Sequence, residues 1–146
     1  MHTSIRAILE EKGHVVHSVR PQETVLRAVE EMAERRLGAI LVCESSRTLG
    51  ILSERDVMTR VLLQRRDPAT TKVDAVMTRD VVVIEPSTTT SEAMAIMTDK
   101  RCRHLPVVEK GKIVGVISIG DLVRHASKEQ EFEIRMLTDY VSGAVR

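Results

Sequence analysis

Aromatic side chains are almost missing from this chain: 146 residues include one phenylalanine, one tyrosine and no tryptophan. Both of them, Phe132 and Tyr140, lie beyond Arg124. A planar ligand held earlier in the chain must therefore sit between aliphatic side chains. The same shortage counts against binding of single-stranded nucleic acid, which relies on aromatic stacking platforms. An excess of either charge is missing too, since 22 Lys and Arg stand against 21 Asp and Glu for a net charge of +1. That balance leaves no electrostatic footprint for nucleic acid or an anionic membrane. No apolar run approaches the roughly 18 residues needed to cross a bilayer. The opening Met1-His2-Thr3-Ser4-Ile5-Arg6 lacks the apolar stretch of a signal peptide, so a cytoplasmic location is expected. Cysteine is scarce, and Cys43 and Cys102 hold non-equivalent positions, which reads as two buried or semi-buried free thiols and not as a disulfide framework.

What the chain does have is one pattern written twice, sixty-five residues apart. Gly50-Ile51-Leu52-Ser53-Glu54-Arg55-Asp56-Val57 returns as Gly115-Val116-Ile117-Ser118-Ile119-Gly120-Asp121-Leu122. Upstream, Val16, Pro21, Thr24, Ala28, Met32, Arg36, Val42 and Glu44 recur at Val81, Pro86, Thr89, Ala93, Met97, Arg101, Val107 and Glu109. Eleven identities fall in the forty-seven aligned positions from Val15 to Val61. A long period seen twice indicates a duplicated module and not a solenoid, which needs three or more stacked repeats. A single copy would bury too little surface to be comfortably stable, so the two are expected to pack together.

Each copy reads strand, helix, strand, strand, helix. Val15–Val19 and Val81–Ile84 are short β-prone runs stopped by Pro21 and Pro86. Val25, Ala28, Val29 and Met32, and then Thr90, Ala93, Met94 and Met97, recur at i, i+3, i+4 and i+7, the spacing of one helix face. Thr89 with Glu92 has the form of a capping box. Two hairpins follow, Ala39 to Glu44 with Leu49 to Ser53 and His104 to Glu109 with Ile113 to Ser118, turning at Ser45-Ser46-Arg47 and Lys110-Gly111-Lys112. A closing helix is expected just after Ser53 and Ser118. Gln64 to Lys72 is polar and proline-broken, a natural linker. Lys72-Val73-Asp74-Ala75-Val76-Met77 resembles Ser4-Ile5-Arg6-Ala7-Ile8-Leu9, a short lead-in helix before each first strand. These align only if the first copy carries three extra residues near Lys12-Gly13-His14. From Arg124 onward one long helix is expected, with Phe132, Met136, Leu137, Tyr140 and Val141 as an apolar stripe.

Ser-x-x-Asp ends the third strand of both copies, as Ser53 with Asp56 and Ser118 with Asp121. Ahead of an apolar helix this is simply a capping box. The same geometry also suits a ligand: free N–H groups at a helix start favour phosphate, and a carboxylate one turn in accepts hydrogen bonds from ribose hydroxyls. Both readings stand on the residues alone. Cys102 with His104 is at most half a metal site, because no second pair has suitable spacing. His14 and His17 read as solvated or packed histidines at a strand edge, and Arg35-Arg36 and Arg65-Arg66 most simply as a solvated helix end and linker, with reach to a ligand phosphate as the alternative. No Ser/His/Asp or Cys/His arrangement suggests a nucleophile, and Met32, Met94 and Met97 read as core.

The strand-helix-strand-strand-helix order, the Pro-x-x-Thr opening and the Gly-to-Asp ending, all given twice, resemble a tandem pair of CBS domains, the Bateman module. The resemblance spans about Ile5 to His125 and implies an α/β (α+β) fold. In that fold two β-α-β-β-α motifs pack about a pseudo-two-fold axis, with clefts between them that bind adenosine-containing ligands. It divides the chain into residues 5–66, 72–126 and a helical extension 127–146. The ligands it implies are AMP, ADP, ATP or NAD(H), with S-adenosylmethionine ranked below them. Asp56 and Asp121 would hold ribose, and Ser53 and Ser118 would meet phosphate or ribose. Val16 and Ser18, with Val82 and Val83, would flank the base, as would Gly38, Ala39 and Ile40 in one copy and Arg103, His104, Leu105 and Pro106 in the other. Arg103 and His104 would meet phosphates, and Thr78 would add a hydroxyl. The copies differ here. Arg55 stands inside the first motif and Gly120 inside the second, so two non-equivalent nucleotide sites are expected.

The role so implied is a regulatory, non-catalytic sensor. It binds an adenine nucleotide, forms a homodimer and signals to a downstream protein, without a catalytic cofactor, metal or membrane. Two other classes compete: a small enzyme of nucleotide chemistry, which lacks an evident general base, and a structural or nucleic-acid-binding adaptor, which the charge and the missing aromatics disfavour.

Overall fold

The computed structural model describes residues 3–142. Their order is α1 (Ile5–Lys12), β1 (Ser18–Val19), α2 (Val25–Arg35), β2 (Ala39–Glu44), β3 (Arg47–Ser53), α3 (Glu54–Asp56) running into a π-helix (Val57–Leu62), a 3-10 turn (Val73–Ala75), α4 (Thr90–Lys100), β4 (His104–Glu109), β5 (Lys112–Ser118) and α5 (Ile119–Ser142). The two hairpins match in detail. Ala39 faces Ser53 and His104 faces Ser118, and each pairing slips by a residue, at Val42/Cys43 and Val107/Val108. Both loops are two residues long with positive φ throughout, 50° and 66° at Ser45 and Ser46 and 53° and 76° at Lys110 and Gly111. That geometry matches the twist of the flanking strands.

The first strands are shorter than the β-prone runs predict, and the copies differ. Ser18 and Val19 pair in parallel with Leu41 and Val42. In the second copy the run Val81–Ile84 is reduced to one parallel bridge, Ile84 with Val107. There the Ile84 N–H donates to the Pro106 carbonyl at 3.0 Å and the Val108 N–H to the Ile84 carbonyl at 2.8 Å. The next rung would need an N–H from residue 106, and proline has none. Leu41 stands at that position in the first copy and keeps its donor.

The helices on the expected faces form as the apolar spacing predicts. Val25, Ala28 and Met32 are buried on α2, and Thr90, Ala93 and Met97 on α4. Thr24 caps α2, and Thr89 with Glu92 makes a full capping box on α4. Arg36 and Arg101, an identical pair in the repeat, both end their helices in the left-handed conformation. The closing helices diverge. The first widens into a π-helix, where the Thr59 hydroxyl donates back to the Arg55 carbonyl at 2.8 Å. The second continues without a break as α5 and carries Phe132, Met136 and Leu137 exposed. The side chains of Tyr140 and Val141, and residues 143–146 of the expected extension, lie outside the described residues.

The chain forms two compact units. One, Val16–Val82, is contiguous. The other is split, joining the segment that ends at Val15 to the segment that begins at Val83. Each lead-in segment therefore packs with the strands of the other copy. In the split unit the Ile5 N–H donates to the Thr88 carbonyl at 2.8 Å and the Thr90 N–H to the Thr3 carbonyl at 2.8 Å. In the contiguous unit the Val25 N–H donates to Thr71 and the Val73 N–H to Glu23, both at 2.9 Å. That unit's core gathers Val25, Ala28, Met32, Ile40, Val42, Leu52, Val61, Val73, Val76 and Met77. Ile5, Ile8 and Leu9 bury the inner face of α1 in the split unit.

One shared glycine makes both packings possible. A Cβ on Gly50 would lie 2.5 Å from the Thr78 carbonyl oxygen and 2.9 Å from the Met77 sulfur. On Gly115 it would lie 2.4 Å from a methyl of Leu9. Gly50→Ala and Gly115→Ala should each destabilise by about 1–3 kcal/mol, as overpacking does. Gly50→Ala should cost more, because Thr78 is backbone-paired to Ile51 through two 2.9 Å bonds whereas a leucine methyl can turn aside. Urea-unfolding midpoints of the two variants check both the size and the order.

Candidate functional site

In each unit the hairpin delivers a serine to the end of its last strand, and the next helix begins there. The Ser53 hydroxyl accepts from the Asp56 N–H at 3.1 Å, and Asp56 Oδ2 accepts from the Ser53 N–H at 3.0 Å. Ser118 and Asp121 repeat this at 3.1 and 2.8 Å. Both motifs are complete capping boxes, so this reading holds on geometry. It does not exhaust the carboxylates. Asp56 and Asp121 are the two buried acidic residues among the described residues, at 6% and 9% exposure. A buried charge needs further partners.

Those partners come from the lead-in segments and from the helices that follow the serines. Thr78, on the chain leaving Val73–Ala75, lies with its hydroxyl 3.2 Å from both oxygens of Asp56. Arg60 stands 3.8 Å from Asp56 Oδ1 and donates to the carbonyls of Val76 and Met77 at 3.1 and 3.0 Å. In the split unit the lead-in is α1, and its last residue, Lys12, puts an ammonium 2.7 Å from Asp121 Oδ2 and 2.7 Å from the Val116 carbonyl. Arg124 adds a bond to Asp121 Oδ1 at 3.0 Å. The neighbouring strand starts come to the same place. The Glu54 N–H donates to the Gly38 carbonyl at 3.0 Å, and the Ile119 N–H to the Arg103 carbonyl at 2.8 Å.

The model of the CBS domain matches residues 5–63 and 73–128. The chain belongs to the CBS-domain family. It is 33% identical over 97% of its length to the mitochondrial CBS domain-containing protein CBSX3 of Arabidopsis thaliana, covering 73% of that protein. Its fold matches a CBS-domain protein of Burkholderia ambifaria MC40-6 with a TM-score of 0.85 at 41% identity, over 88% of this chain and 96% of that one. It also matches a hexameric CBS-CP12 protein from bloom-forming cyanobacteria with a TM-score of 0.75 at 26% identity, over 84% of this chain and 67% of that one. The repeat is thus a CBS pair, a regulatory module with the mixed helix-and-strand fold that the sequence pattern predicts.

The residues singled out in the CBS pair fall into distinct settings. Ser53, Asp56, Thr78, Gly38 and Ala39 gather in the contiguous unit; Ser118, Asp121, Arg103 and His104 gather in the split unit. Ile40, Leu105 and Pro106 are buried, with Ile40 part of the contiguous unit's core. Val16 and Val82 are half-buried, while Ser18, Val83, Arg55 and Arg103 are exposed. Cys43 and Cys102 are free and half-buried, and burial pushes the Cys102 thiol up. Among the described residues, no group of three His, Cys, Asp or Glu side chains could hold a metal, and no helix is long and apolar enough to cross a membrane. Sequence reasoning missed Lys12, Arg60 and Arg124. The one available signal for Lys12 was the three-residue excess in the first lead-in, which carries this lysine at its start.

Burial pushes the Asp121 carboxyl up, but the hydrogen bond from Lys12, the Ser118 N–H and the lysine charge outweigh it and hold its pKa below the ordinary aspartate value. An aspartate lowered on folding contributes stability above its unfolded value, about 4. That contribution is lost as pH falls through the folded value. Unfolding free energy should therefore drop more steeply on acidification below about pH 4 for the wild-type chain than for Asp121→Asn. Parallel pH profiles from chemical denaturation would show that the Lys12–Asp121 pair does not form in solution.

Proposed function

We propose that this CBS pair is a cytoplasmic sensor of adenine nucleotides (AMP, ADP, ATP or NAD(H)) that passes occupancy to a downstream protein without itself catalysing a reaction. The observation that carries this reading is the pair of buried carboxylates, each held by a serine cap at a strand end. A carboxylate so fixed is pre-aimed to accept ribose hydroxyls, and fixing it beforehand lowers the cost of binding. In the split unit Arg103 and Lys12 supply positive charge for phosphate and His104 a ring nitrogen beside them, whereas the equivalent strand start in the contiguous unit is Gly38-Ala39. With no tryptophan and its two aromatic residues late in the chain, the base would rest on aliphatic residues, such as Val16 and Val82 in the contiguous unit and Val83 in the split unit.

Sensing requires a ligand to favour one conformation over another, since equal affinity shifts nothing. α5, continuous with the Asp121 cap, leads from a ligand site to an exposed apolar surface at Phe132, Ile134 and Leu137. That surface suits a second copy of the chain, in keeping with the hexameric assembly of the cyanobacterial CBS-CP12 protein.

Mass spectrometry of small molecules released from the purified protein should find an adenine nucleotide. Titration calorimetry with AMP should resolve two unequal sites, with Asp56→Ala and Asp121→Ala each removing one and leaving a cooperative thermal transition. Melting unchanged by AMP, ADP, ATP and NADH would overturn the proposal, as would normal affinity in both alanine variants.

A further inference from the structure

Four carboxylate oxygens serve the two serine-capped sites, and one of them is saturated. An ionised carboxylate offers about four acceptor positions, two on each oxygen. Asp56 Oδ2 accepts the Ser53 N–H at 3.0 Å, and the single hydroxyl proton of Thr78 is shared between both oxygens at 3.2 Å. Arg60, at 3.8 Å, lies outside hydrogen-bond range. Once the Thr78 proton settles on Oδ1, each oxygen of Asp56 keeps one free position. A ribose diol bound across the two oxygens displaces nothing.

Asp121 is different. Its Oδ1 accepts Arg124 at 3.0 Å and keeps one position, but its Oδ2 already accepts the Ser118 N–H at 2.8 Å and the Lys12 ammonium at 2.7 Å. The Ser118 bond belongs to the capping box and holds the strand end to the start of α5. A diol can reach Oδ2 only if Lys12 leaves. Lys12 has somewhere to go. It stays tethered by its 2.7 Å bond to the Val116 carbonyl, and an ammonium has three donors, so two remain for a new acceptor. Its side chain is 40% exposed, which leaves it room to swing.

We infer that Lys12 is the specificity-determining residue of the split unit: it blocks the ribose-accepting oxygen of Asp121 against uncharged nucleosides and yields it to nucleotides whose phosphate takes over its charge. The assignment rests on the nucleotide reading above. A neutral nucleoside must break a charged hydrogen bond without replacing it, whereas a nucleoside monophosphate exchanges one charged partner for another. The contiguous unit has Thr78 in the corresponding role and carries no such filter. The three extra residues of the first lead-in that begin with Lys12 thereby give the two copies different ligand classes.

The test is titration calorimetry of AMP and adenosine against the full chain carrying Asp56→Ala, which leaves the split unit as the one capped carboxylate; Asp56→Asn replaces it if the alanine variant does not melt cooperatively. AMP should bind tighter than adenosine by roughly tenfold or more, the scale of one charged hydrogen bond. Adding Lys12→Met should tighten adenosine, weaken AMP and narrow the gap between them by about threefold or more, the residual preference being that of Arg103, whereas Lys12→Arg should preserve the full preference. An unchanged AMP-to-adenosine ratio in Lys12→Met, with AMP still bound, overturns the Lys12 assignment alone. Binding by the wild-type chain that vanishes in Asp56→Ala overturns it too and leaves the nucleotide reading to the contiguous unit. If neither ligand binds any form of the chain, both readings fall together.

Discussion

Each unit depends on one buried carboxylate that ties three pieces of chain together. Asp56 and Asp121 accept the backbone N–H of the serine that ends a strand, start the helix that follows, and hold the lead-in segment through Thr78 or Lys12. Without the lead-in partner, a nearly buried negative charge would keep its cap and a half-exposed arginine of the following helix, Arg60 or Arg124, and desolvation would count against it. This explains why the same residue reads equally well as a helix cap and as a ligand contact. Geometry makes it a cap in both units. Its remaining acceptor capacity makes it a candidate ligand group, and that capacity differs between units.

The lead-in segments set much of the rest. Gly50 and Gly115 are kept in both copies because a side chain there would strike Met77 and Thr78 in one unit and Leu9 in the other. Around α1 a further set of long-range contacts closes the split unit: Arg6 with Glu109, Lys128 with Glu11, and the Thr3 hydroxyl with Glu129. These surface pairs are individually weak. The buried inner face of α1 and its backbone bonds to Pro86 and Thr88 carry more. A helix at one end of the chain thus ends up beside the carboxylate that the repeat places near the other end.

Where the copies diverge, single residues explain the divergence. Pro106 in place of Leu41 removes one N–H and halts the parallel ladder at Ile84. Lys12 in place of a hydroxyl donor adds a charge beside one aspartate. Arg103 in place of Gly38 adds a further positive charge to the split unit. Each change is small for the fold, and together they give two copies of one architecture different chemistry.

Local pattern determined a large part of this protein. The apolar spacing of α2 and α4, the turn residues of both hairpins, the Thr89–Glu92 box and the Ser-x-x-Asp caps involve residues within a few positions of each other, so their physics is written in adjacent letters. The register of the repeat made the family and the fold class legible for the same reason. The tertiary structure alone decided which lead-in segment serves which copy, and hence that Lys12 meets Asp121, a pair 109 residues apart. No local propensity encodes that pairing. It follows from where the chain crosses between units, and from a shared glycine that accepts whichever apolar side chain the crossing brings.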